Sequence, residues 1–445
     1  MSTEKKYNFD YIIIGSGFGG SVAALRLSEK GYKVLVIEKG KWYSSNDYAK
    51  TNWNLKRWLW IPLIKFHGIF KITFFRHVGI LSGVGVGGGS LVYANTLPIP
   101  KKEFFEACSW SHLADWENEL SEFYEASKKM MGVTSNPRLE NGDKALKDLA
   151  KEIGKEDQFE PTDVAVFFGE PGKNVSDPYF NGEGPERTGC TFCGACMIGC
   201  RHNAKNTLDK NYLYLAQKNG AVIQAESEVY NIIPLGNKNG ADGYEVGWKR
   251  ATSFLKSKGK FTCKGIVFAG GVLGTIPLLL KLKETTLPNL SEKIGFNVRT
   301  NSESLMGVVA PQKETVFSDG VAIGSILHTD EHSHLEPVRY PSGSGFWRLQ
   351  ISPLVVGSNV FIRLVKAIWE IIKHPVRYFK FYFVWDWAKK TQILLYMRTI
   401  SGTLRLTKGW FRMKTKLGDG TLPTAFLPEA NKLAIKYANI VNGTP

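Results

Sequence analysis

Residues 11–40, YIIIGSGFGGSVAALRLSEKGYKVLVIEKG, contain the pattern on which the prediction of the fold depends. The apolar run 11–14 is typical of a buried strand, and a second apolar run, 33–38, follows a stretch with helical spacing that ends near Gly31. A glycine-rich turn lies between the first strand and the helix. Strand, helix and strand in this order predict a βαβ unit with a parallel sheet.

The turn of this unit carries the glycines that a bound dinucleotide requires. Gly15 permits a tight turn, Gly17 lets the backbone approach a pyrophosphate, and Gly20 lets helix and strand pack closely. Free N–H groups at the helix N-terminus would bind the pyrophosphate. Glu38 ends the second strand, where its carboxylate can accept hydrogen bonds from ribose hydroxyls. This unit alone does not separate FAD from NAD, since both contain the ADP half, and a glycine turn without a ligand is the remaining alternative.

A second glycine-rich segment, GVGVGGGSLVYAN, spans residues 83–95, and five of its first seven residues are glycine. Such a backbone can lie flat against a ligand, and each of its N–H groups is a potential donor. The alternative is a flexible surface loop, but flexible linkers carry Ser and other polar residues rather than Val and Leu. The segment therefore indicates a second backbone surface for a ligand.

Four of the six cysteines, Cys190, Cys193, Cys196 and Cys200, lie within eleven residues. Their spacing is that of bacterial ferredoxins and indicates an iron–sulfur cluster. However, the chain has no second run of this kind, and Arg201 occupies the position where proline is usual. Zinc and a loop packed by reduced thiols are the alternatives. An iron–sulfur cluster is therefore considered but not favoured.

The composition favours a soluble enzyme with more than one domain. The chain has 445 residues, of which 43% are hydrophobic and 22% charged, and single cores rarely grow to this size. The 57 Lys and Arg against 41 Asp and Glu leave a net charge of +16, which suits a surface that meets anions. Without a nucleic-acid-binding motif, acidic lipid is the favoured partner and nucleic acid is not expected. We expect a cytoplasmic protein, since neither a signal-peptide pattern nor a spanning apolar run is present.

Residues 360–398 combine eight Lys or Arg with many aromatic side chains. Phe361, Leu364, Val365 and Ile368 recur at helical spacing. A helix of this kind can lie in a membrane interface with its aromatic side chains at headgroup depth. The alternative is that its apolar side packs on the protein. Peripheral membrane contact is therefore one of two interpretations of this segment.

These segments together resemble the glucose–methanol–choline (GMC) oxidoreductase family, and within it the cholesterol oxidase branch. The resemblance covers nearly the whole chain and rests on IIIGSGFGGSVAALRL, VIEKG, SGVGVGGGSLVYANTLPIP, AKNTLDKNYL, FAGGVLGT and HLEPVRYP. It implies an α/β fold in which a Rossmann-like FAD-binding domain carries an inserted α+β substrate domain. The implied division assigns residues 1–100 and 185–300 to the FAD-binding domain, and residues 101–184 and 301–445 to the substrate side.

The resemblance also implies an activity and a set of cofactor contacts. The family oxidises a hydroxyl group with FAD, here on a sterol or another bulky apolar alcohol, and passes the electrons to oxygen or another acceptor. The matching positions assign flavin contacts to Gly88, Gly89, Ser90 and Asn95, and a backbone contact with the adenine to Val229.

Glu336 matches the family's carboxylate that moves a proton between steroid carbons and so isomerises a double bond. Apolar surroundings would raise the pKa of such a carboxylate and suit it to proton transfer. The alternative is a solvated or ion-paired glutamate beside Arg339.

The family's later histidine segment and its final flavin motif find no match in this sequence. The stretch 419–423 resembles only the start of that motif. The expectation is a chain that lacks the family's C-terminal segment, and the alternative function is a non-catalytic flavin- or membrane-binding remnant.

Overall fold

The computed structural model describes residues 7–237, 239–253, 257–357, 359–400, 402–410, 412–420 and 427–445. The stretch that resembles the start of the family's final flavin motif, 419–423, therefore lies partly outside the described residues.

The strands are, in chain order, β1 (Phe9–Ile14), β2 (Val34–Ile37), β3 (Trp60–Ile61), β4 (Phe66–His67), β5 (Phe70–Phe74), β6 (Gly79–Gly83), β7 (Thr134–Ser135), β8 (Phe159–Pro161), β9 (Asp163–Val164), β10 (Asn174–Val175), β11 (Arg187–Thr188), β12 (Val222–Gln224), β13 (Ser227–Pro234), β14 (Tyr244–Arg250), β15 (Lys258–Phe268), β16 (Ser304–Val309), β17 (Ser325–Asp330), β18 (Ser333–Val338), β19 (Thr391–Arg398), β20 (Leu404–Thr407) and β21 (Lys414–Leu417).

The α-helices are α1 (Phe18–Glu29), α2 (Leu55–Trp58), α3 (Lys102–Phe105), α4 (Trp116–Met130), α5 (Asn141–Glu152), α6 (Tyr212–Lys218), α7 (Val272–Lys283), α8 (Val360–Lys373), α9 (Pro375–Phe383), α10 (Trp387–Lys390) and α11 (Pro428–Ile440). None of the helices in the described ranges is both long enough and apolar enough to cross a bilayer.

A six-stranded sheet, in the order β12-β2-β1-β15-β14-β13, forms the first layer. Strand β1 pairs in parallel with β2 and with β15, and its residue Phe9 lies opposite Cys263. Helix α1 connects β1 to β2, and Ile12 and Ile13 are fully buried in the sheet. The βαβ unit predicted from residues 11–40 is confirmed, and β15 runs into another glycine turn before α7.

A five-stranded antiparallel sheet, in the order β16-β19-β18-β17-β8, forms the second layer. Its strand β8 comes from the chain before residue 184 and the other four come from beyond residue 300. Helices α5 and α11 cover one face and bury Leu335 and Tyr396. Side chains alternate along a strand, so the neighbours of these residues, including Glu336, point to the opposite face. The α/β class with a mixed second region is confirmed, and the domain boundaries stay a prediction.

Candidate active site

A cavity of about 1310 Å³ extends from the carboxyl end of β1 to the uncovered face of the five-stranded sheet. Gly15, Gly17, Glu38 and Val229 border it on the nucleotide side, and Glu336 borders it on the other. The structure therefore brings residues from the first glycine turn, from the middle of the chain and from the HLEPVRYP segment to one space.

The first glycine turn has the geometry that its sequence predicts. Gly15 has φ 102°, and a Cβ atom there would lie 2.5 Å from the carbonyl oxygen of Ala269. A Cβ atom on Gly20 would clash with the carbonyl oxygen of Gly15, so Gly20 serves helix packing and lies behind the cavity wall. A Cβ atom on Gly17 would meet no protein atom within 4 Å. Gly17 thus presents open space at the N-terminus of α1, where a phosphate binds favourably.

The second glycine segment packs directly on the first. A Cβ atom on Gly88 would lie 2.7 Å from the Cα atom of Gly17, and Gly88 itself has φ 52°. Gly88 and Gly89 both border the cavity. The two turns form one continuous backbone surface, which fits a dinucleotide that extends beyond its ADP half.

Glu38 is held rigidly at the edge of this surface. It is 5% exposed, and its Oε2 accepts hydrogen bonds from the Ser16 amide at 3.1 Å and the Ser16 hydroxyl at 2.8 Å. Its Oε1 accepts from the Gly40 amide at 2.8 Å. A carboxylate offers about four acceptor positions. Glu38 therefore keeps capacity for a ribose hydroxyl, as the sequence predicts.

Ser90 and Asn95 lie behind the cavity wall. The Ser90 hydroxyl donates to the Gly87 carbonyl at 2.7 Å and accepts from the Leu208 amide at 3.0 Å, so its side chain is used within the protein. Asn95 is fully buried with φ 75°, and its amide has no nitrogen or oxygen partner among the described residues. The residues on either side of Asn95 border the cavity. The side chain of Asn95 does hydrogen-bond the Cys196 thiol. Sulfur is a weak partner, so the buried amide keeps hydrogen-bonding capacity that fits a site completed by a ligand.

Lys205 holds the segment between the second glycine turn and Asn95 in place. It is 1% exposed, and its Nζ donates to the carbonyls of Leu91 at 3.2 Å, Tyr93 at 2.7 Å and Cys196 at 2.8 Å. Burial lowers the pKa of Lys205 to about 7. Sequence reasoning missed this role, although Lys205 stands within the quoted AKNTLDKNYL segment.

Replacing Lys205 with methionine is expected to lower the free energy of unfolding by about 1–3 kcal/mol, since three buried carbonyls lose their donor. FAD affinity should fall as well, because the cavity-lining segment at Tyr93 loses its anchor. Denaturant unfolding and FAD titration measure the two effects. Lys218→Met is the matched control, since Lys218 is 42% exposed in an ion pair with Glu183 that solvent screens, so its loss should be much smaller. Equal losses in both variants would contradict the assignment.

Glu336 projects from β18 into the cavity and is 3% exposed. Its Oε2 atom has no hydrogen-bond partner in the part of the chain that the structure describes. Burial, and then the negative charge of nearby Glu303, raise the pKa of Glu336 to about 8. Arg339 instead pairs with Asp143 at 2.9 Å, with both side chains buried. The ion-paired alternative for Glu336 is therefore not what the structure shows.

Apolar side chains form most of the wall around Glu336. They come from β18, β19 and the segments before α8 and at α10, and include Val338, Trp347, Trp387, Ile393, Leu395 and Met397. Glu303 borders the same space. Sequence reasoning missed Glu303 because no motif marks it; the structure brings it beside Glu336 through the start of β16.

The four clustered cysteines surround a small internal void with His202 and Lys205. All four are free thiols, and Cys190 packs with Val164, Val166 and Val321. Burial raises the pKa of the Cys190 and Cys196 thiols. Over the described ranges, no three His, Cys, Asp or Glu side chains are grouped so that they could hold a metal ion. The interpretation as an iron–sulfur or zinc site therefore gains no support from the geometry.

Comparison with protein families matches residues 13–47 to an NAD(P)-binding Rossmann-like domain and residues 185–298 to the GMC oxidoreductases. A cholesterol oxidase of Acinetobacter baumannii is 43% identical over 454 residues, covering 100% of this chain and 82% of that protein. A cholesterol oxidase of Mycobacterium tuberculosis is 40% identical over 463 residues, covering 98% of this chain and 78% of that protein.

Two more distant proteins extend the comparison. A long-chain-alcohol oxidase of Arabidopsis thaliana is 27% identical over 350 residues, covering 73% of this chain and 40% of that protein. The crystal structure of pyridoxine 4-oxidase from Mesorbium loti superposes with a TM-score of 0.54 at 13% identity, covering 98% of this chain and 80% of that one. This structural likeness supports the fold alone.

The chain belongs to the GMC oxidoreductase family, and it is an oxidoreductase that acts on CH–OH groups. Membership implies FAD as the cofactor, and the two joined glycine turns and Glu38 fit that group. The cholesterol oxidases of Acinetobacter baumannii and Mycobacterium tuberculosis match it along nearly its whole length.

Proposed function

We propose that this protein oxidises the hydroxyl group of a sterol, or of a similarly bulky apolar alcohol, to a ketone with bound FAD, and that Glu336 then moves a double bond into conjugation. One observation carries the proposal: a single cavity joins two glycine turns to a buried carboxyl in an apolar wall. Its volume of about 1310 Å³ is above the range of roughly 300–1,000 Å³ for small-molecule sites. It therefore has room for a dinucleotide and an apolar substrate together.

The residues that would hold the cofactor follow from the geometry. The open backbone at Gly17 and Gly88 would take the pyrophosphate and the adjoining part of the flavin, and Glu38 the ribose hydroxyls. The backbone of Val229 borders the cavity where the adenine is expected. When bound, FAD supplies the acceptor for the hydride that leaves the alcohol carbon, and oxygen or another acceptor takes the electrons afterwards.

Glu336 supplies the proton chemistry of the second step. When a carbon lies between a ketone and a double bond, its C–H bonds are acidic. Glu336 removes this proton in its ionised form and returns it two carbons further along, which conjugates the double bond with the ketone. The apolar wall keeps water on the cavity side away from this exchange, and burial raises the pKa of the carboxyl to about 8.

The test uses the purified chain folded with FAD and supplied separately with cholesterol and with a long-chain primary alcohol. The proposal expects a yellow complex, sterol-dependent reduction of oxygen or a dye, and the ultraviolet absorbance of a conjugated ketone. Oxidation of the primary alcohol alone would favour the second candidate, for which the Arabidopsis relative is the supporting observation. Flavin binding without turnover of either alcohol would favour a non-catalytic remnant; the 43% identity along the whole chain does not favour that outcome.

The substrate proposal extends to contact with a membrane. Helices α8 and α9 expose large apolar side chains, among them Phe361 at 73%, Trp369 at 57% and Phe383 at 70%. The same two helices carry Arg363, Lys366, Lys373, Arg377 and Lys380. Apolar side chains flanked by cations suit the interface of an anionic bilayer, from which an apolar alcohol would be drawn.

The double variant Phe361→Ser with Trp369→Ser is expected to weaken binding to vesicles of phosphatidylcholine and phosphatidylglycerol by roughly 10–100-fold, since two large apolar side chains no longer leave water. Vesicle sedimentation measures the effect. Phe123→Ser on α4 is the control, because Phe123 is 58% exposed on a different helix. Unchanged vesicle binding by the double variant would place the contact elsewhere.

A further inference from the structure

Titratable side chains lead from Glu336 towards the surface of the five-stranded sheet. His334 precedes Glu336 by two residues on β18, so both side chains project from the same face of the strand. The Nε2 atom of His334 lies 3.6 Å from the Oε1 atom of Glu336. The Glu336 side chain is 4% exposed and that of His334 is 26% exposed. His334 therefore spans the distance between a buried carboxyl and solvent.

The neighbouring strands continue this arrangement. His328 on β17 lies opposite His334 in the strand register, and the two ring centres are 6.0 Å apart. The Nε2 atom of His328 is 3.4 Å from the Oε1 atom of Glu160 on β8, whose side chain is 64% exposed. Three adjacent strands thus place two imidazoles and an exposed carboxylate in sequence from Glu336.

Both members of the inner pair are uncharged at neutral pH. Burial and the charge of Glu303 raise the pKa of Glu336 to about 8, so its carboxyl carries a proton at neutral pH. Burial, followed by the charges of His328 and Lys101, lowers the pKa of His334 to about 4, so its imidazole is neutral there. A neutral carboxyl therefore faces a neutral imidazole that has one ring nitrogen free to accept a proton.

We propose that His334 is the proton outlet of Glu336, an inference that rests on the proposed function of Glu336 as a base. The carboxyl proton of Glu336 passes to the Nε2 atom of His334, and the proton on the other ring nitrogen leaves to water at the exposed edge, beside His328 and Glu160. The imidazole returns to its neutral form and the carboxylate is ready to act as base. The reverse sequence returns a proton to the carboxylate. Only protons move in both directions, so no oxidant or reductant is involved. Substrate in the cavity would block access of water from that side, which leaves the His334 side as the route.

The first experiment follows hydrogen exchange during isomerisation in ordinary water. The FAD-loaded protein is given a steroid 5-en-3-one deuterated at C4, the carbon that loses its hydrogen, and deuterium in the conjugated product is measured by mass spectrometry. The native protein is expected to lose much of the transferred deuterium to water, and His334→Leu to retain severalfold more. His332→Leu is the control, since His332 lies in the turn before the same strand and is exposed. Full retention by the native protein, or equal retention in His334→Leu, would overturn the proposal.

A second measurement requires no turnover and separates this proposal from the proposed function. Nitrogen NMR of the imidazoles is followed against pH in the FAD-loaded protein and in Glu336→Gln. The His334 signal should change near pH 8 as Glu336 ionises, and this change should vanish in Glu336→Gln. Failure of every form to isomerise the steroid would count against the proposed function. If the His334 signal does not change as Glu336 ionises, the proposal that His334 is the proton outlet would be wrong.

Discussion

Replacing Gly17 with aspartate is expected to weaken FAD binding by roughly a thousandfold, since two like charges about 4 Å apart repel by about 4 kcal/mol near a protein surface. The side chain would enter the open space at the start of α1, where no protein atom lies within 4 Å. That space is where the pyrophosphate is expected. The fold should tolerate the change for the same reason.

The capping position of Gly17 makes this variant a sharp test. Gly17 is the N-cap of α1, with φ −72° and ψ −167° and without a side-chain cap. Aspartate is among the preferred N-cap residues, so the melting temperature of the FAD-free protein should stay level or rise. Stability and cofactor affinity should therefore change in different directions.

The control for this prediction is Gly17→Asn, which has nearly the same size and capping ability but no charge. It should reduce FAD affinity less than aspartate does. Fluorescence titration with FAD, together with thermal melting of each FAD-free protein, measures both quantities. If Gly17→Asp binds FAD as tightly as the native chain, the pyrophosphate lies elsewhere.

Replacing Glu336 with glutamine is expected to slow isomerisation by about 10²–10⁴-fold, the usual loss when a positioned acid–base group is removed. Oxidation of the hydroxyl should change far less, because that step requires no proton transfer between carbons. Glutamine keeps the shape of the side chain and removes only the titratable proton. Separate assays with a sterol and with a steroid 5-en-3-one distinguish the two steps.

The pH dependence of the isomerisation rate provides a second test of Glu336. Only ionised Glu336 can accept a proton, so the isomerisation rate should rise as the pH increases through about 8 and level off above it. Glu303→Gln removes a negative charge that helps to raise this pKa, and should move the rise to lower pH. A rate that is independent of pH in the native protein, or an identical profile in Glu303→Gln, would exclude this role for Glu336.

Much of the nucleotide side could be predicted from sequence because its determinants are local. One βαβ unit contains Gly15, Gly17, Gly20 and Glu38. Its strand, turn and helix patterns can be recognised within thirty residues of sequence. The place of Glu336 in an apolar wall was predicted only through resemblance to a family. The proximity of Glu303, whose charge acts on Glu336, depends on the pairing of strands far apart in sequence.

Other features of the site could not be predicted from the sequence. Lys205 binds three carbonyls from two separate loops, and such contacts leave no periodic signal. The Ser90 hydroxyl bonds backbone groups, whereas the side chain of Asn95, five residues later, bonds the Cys196 thiol. Local patterns predict which segments approach a ligand, but the direction of each side chain is decided by packing.

The pairing of Phe9 with Cys263 has a consequence for biosynthesis. The first forty residues leave the ribosome early, yet one edge of β1 has no partner until β15 has been translated, more than two hundred residues later. Non-local pairing of this kind slows folding, since a long loop must close before the contact forms. Nascent chains should therefore capture FAD late, and until then the exposed edge of β1 is where chaperones, or other unfinished chains, would bind.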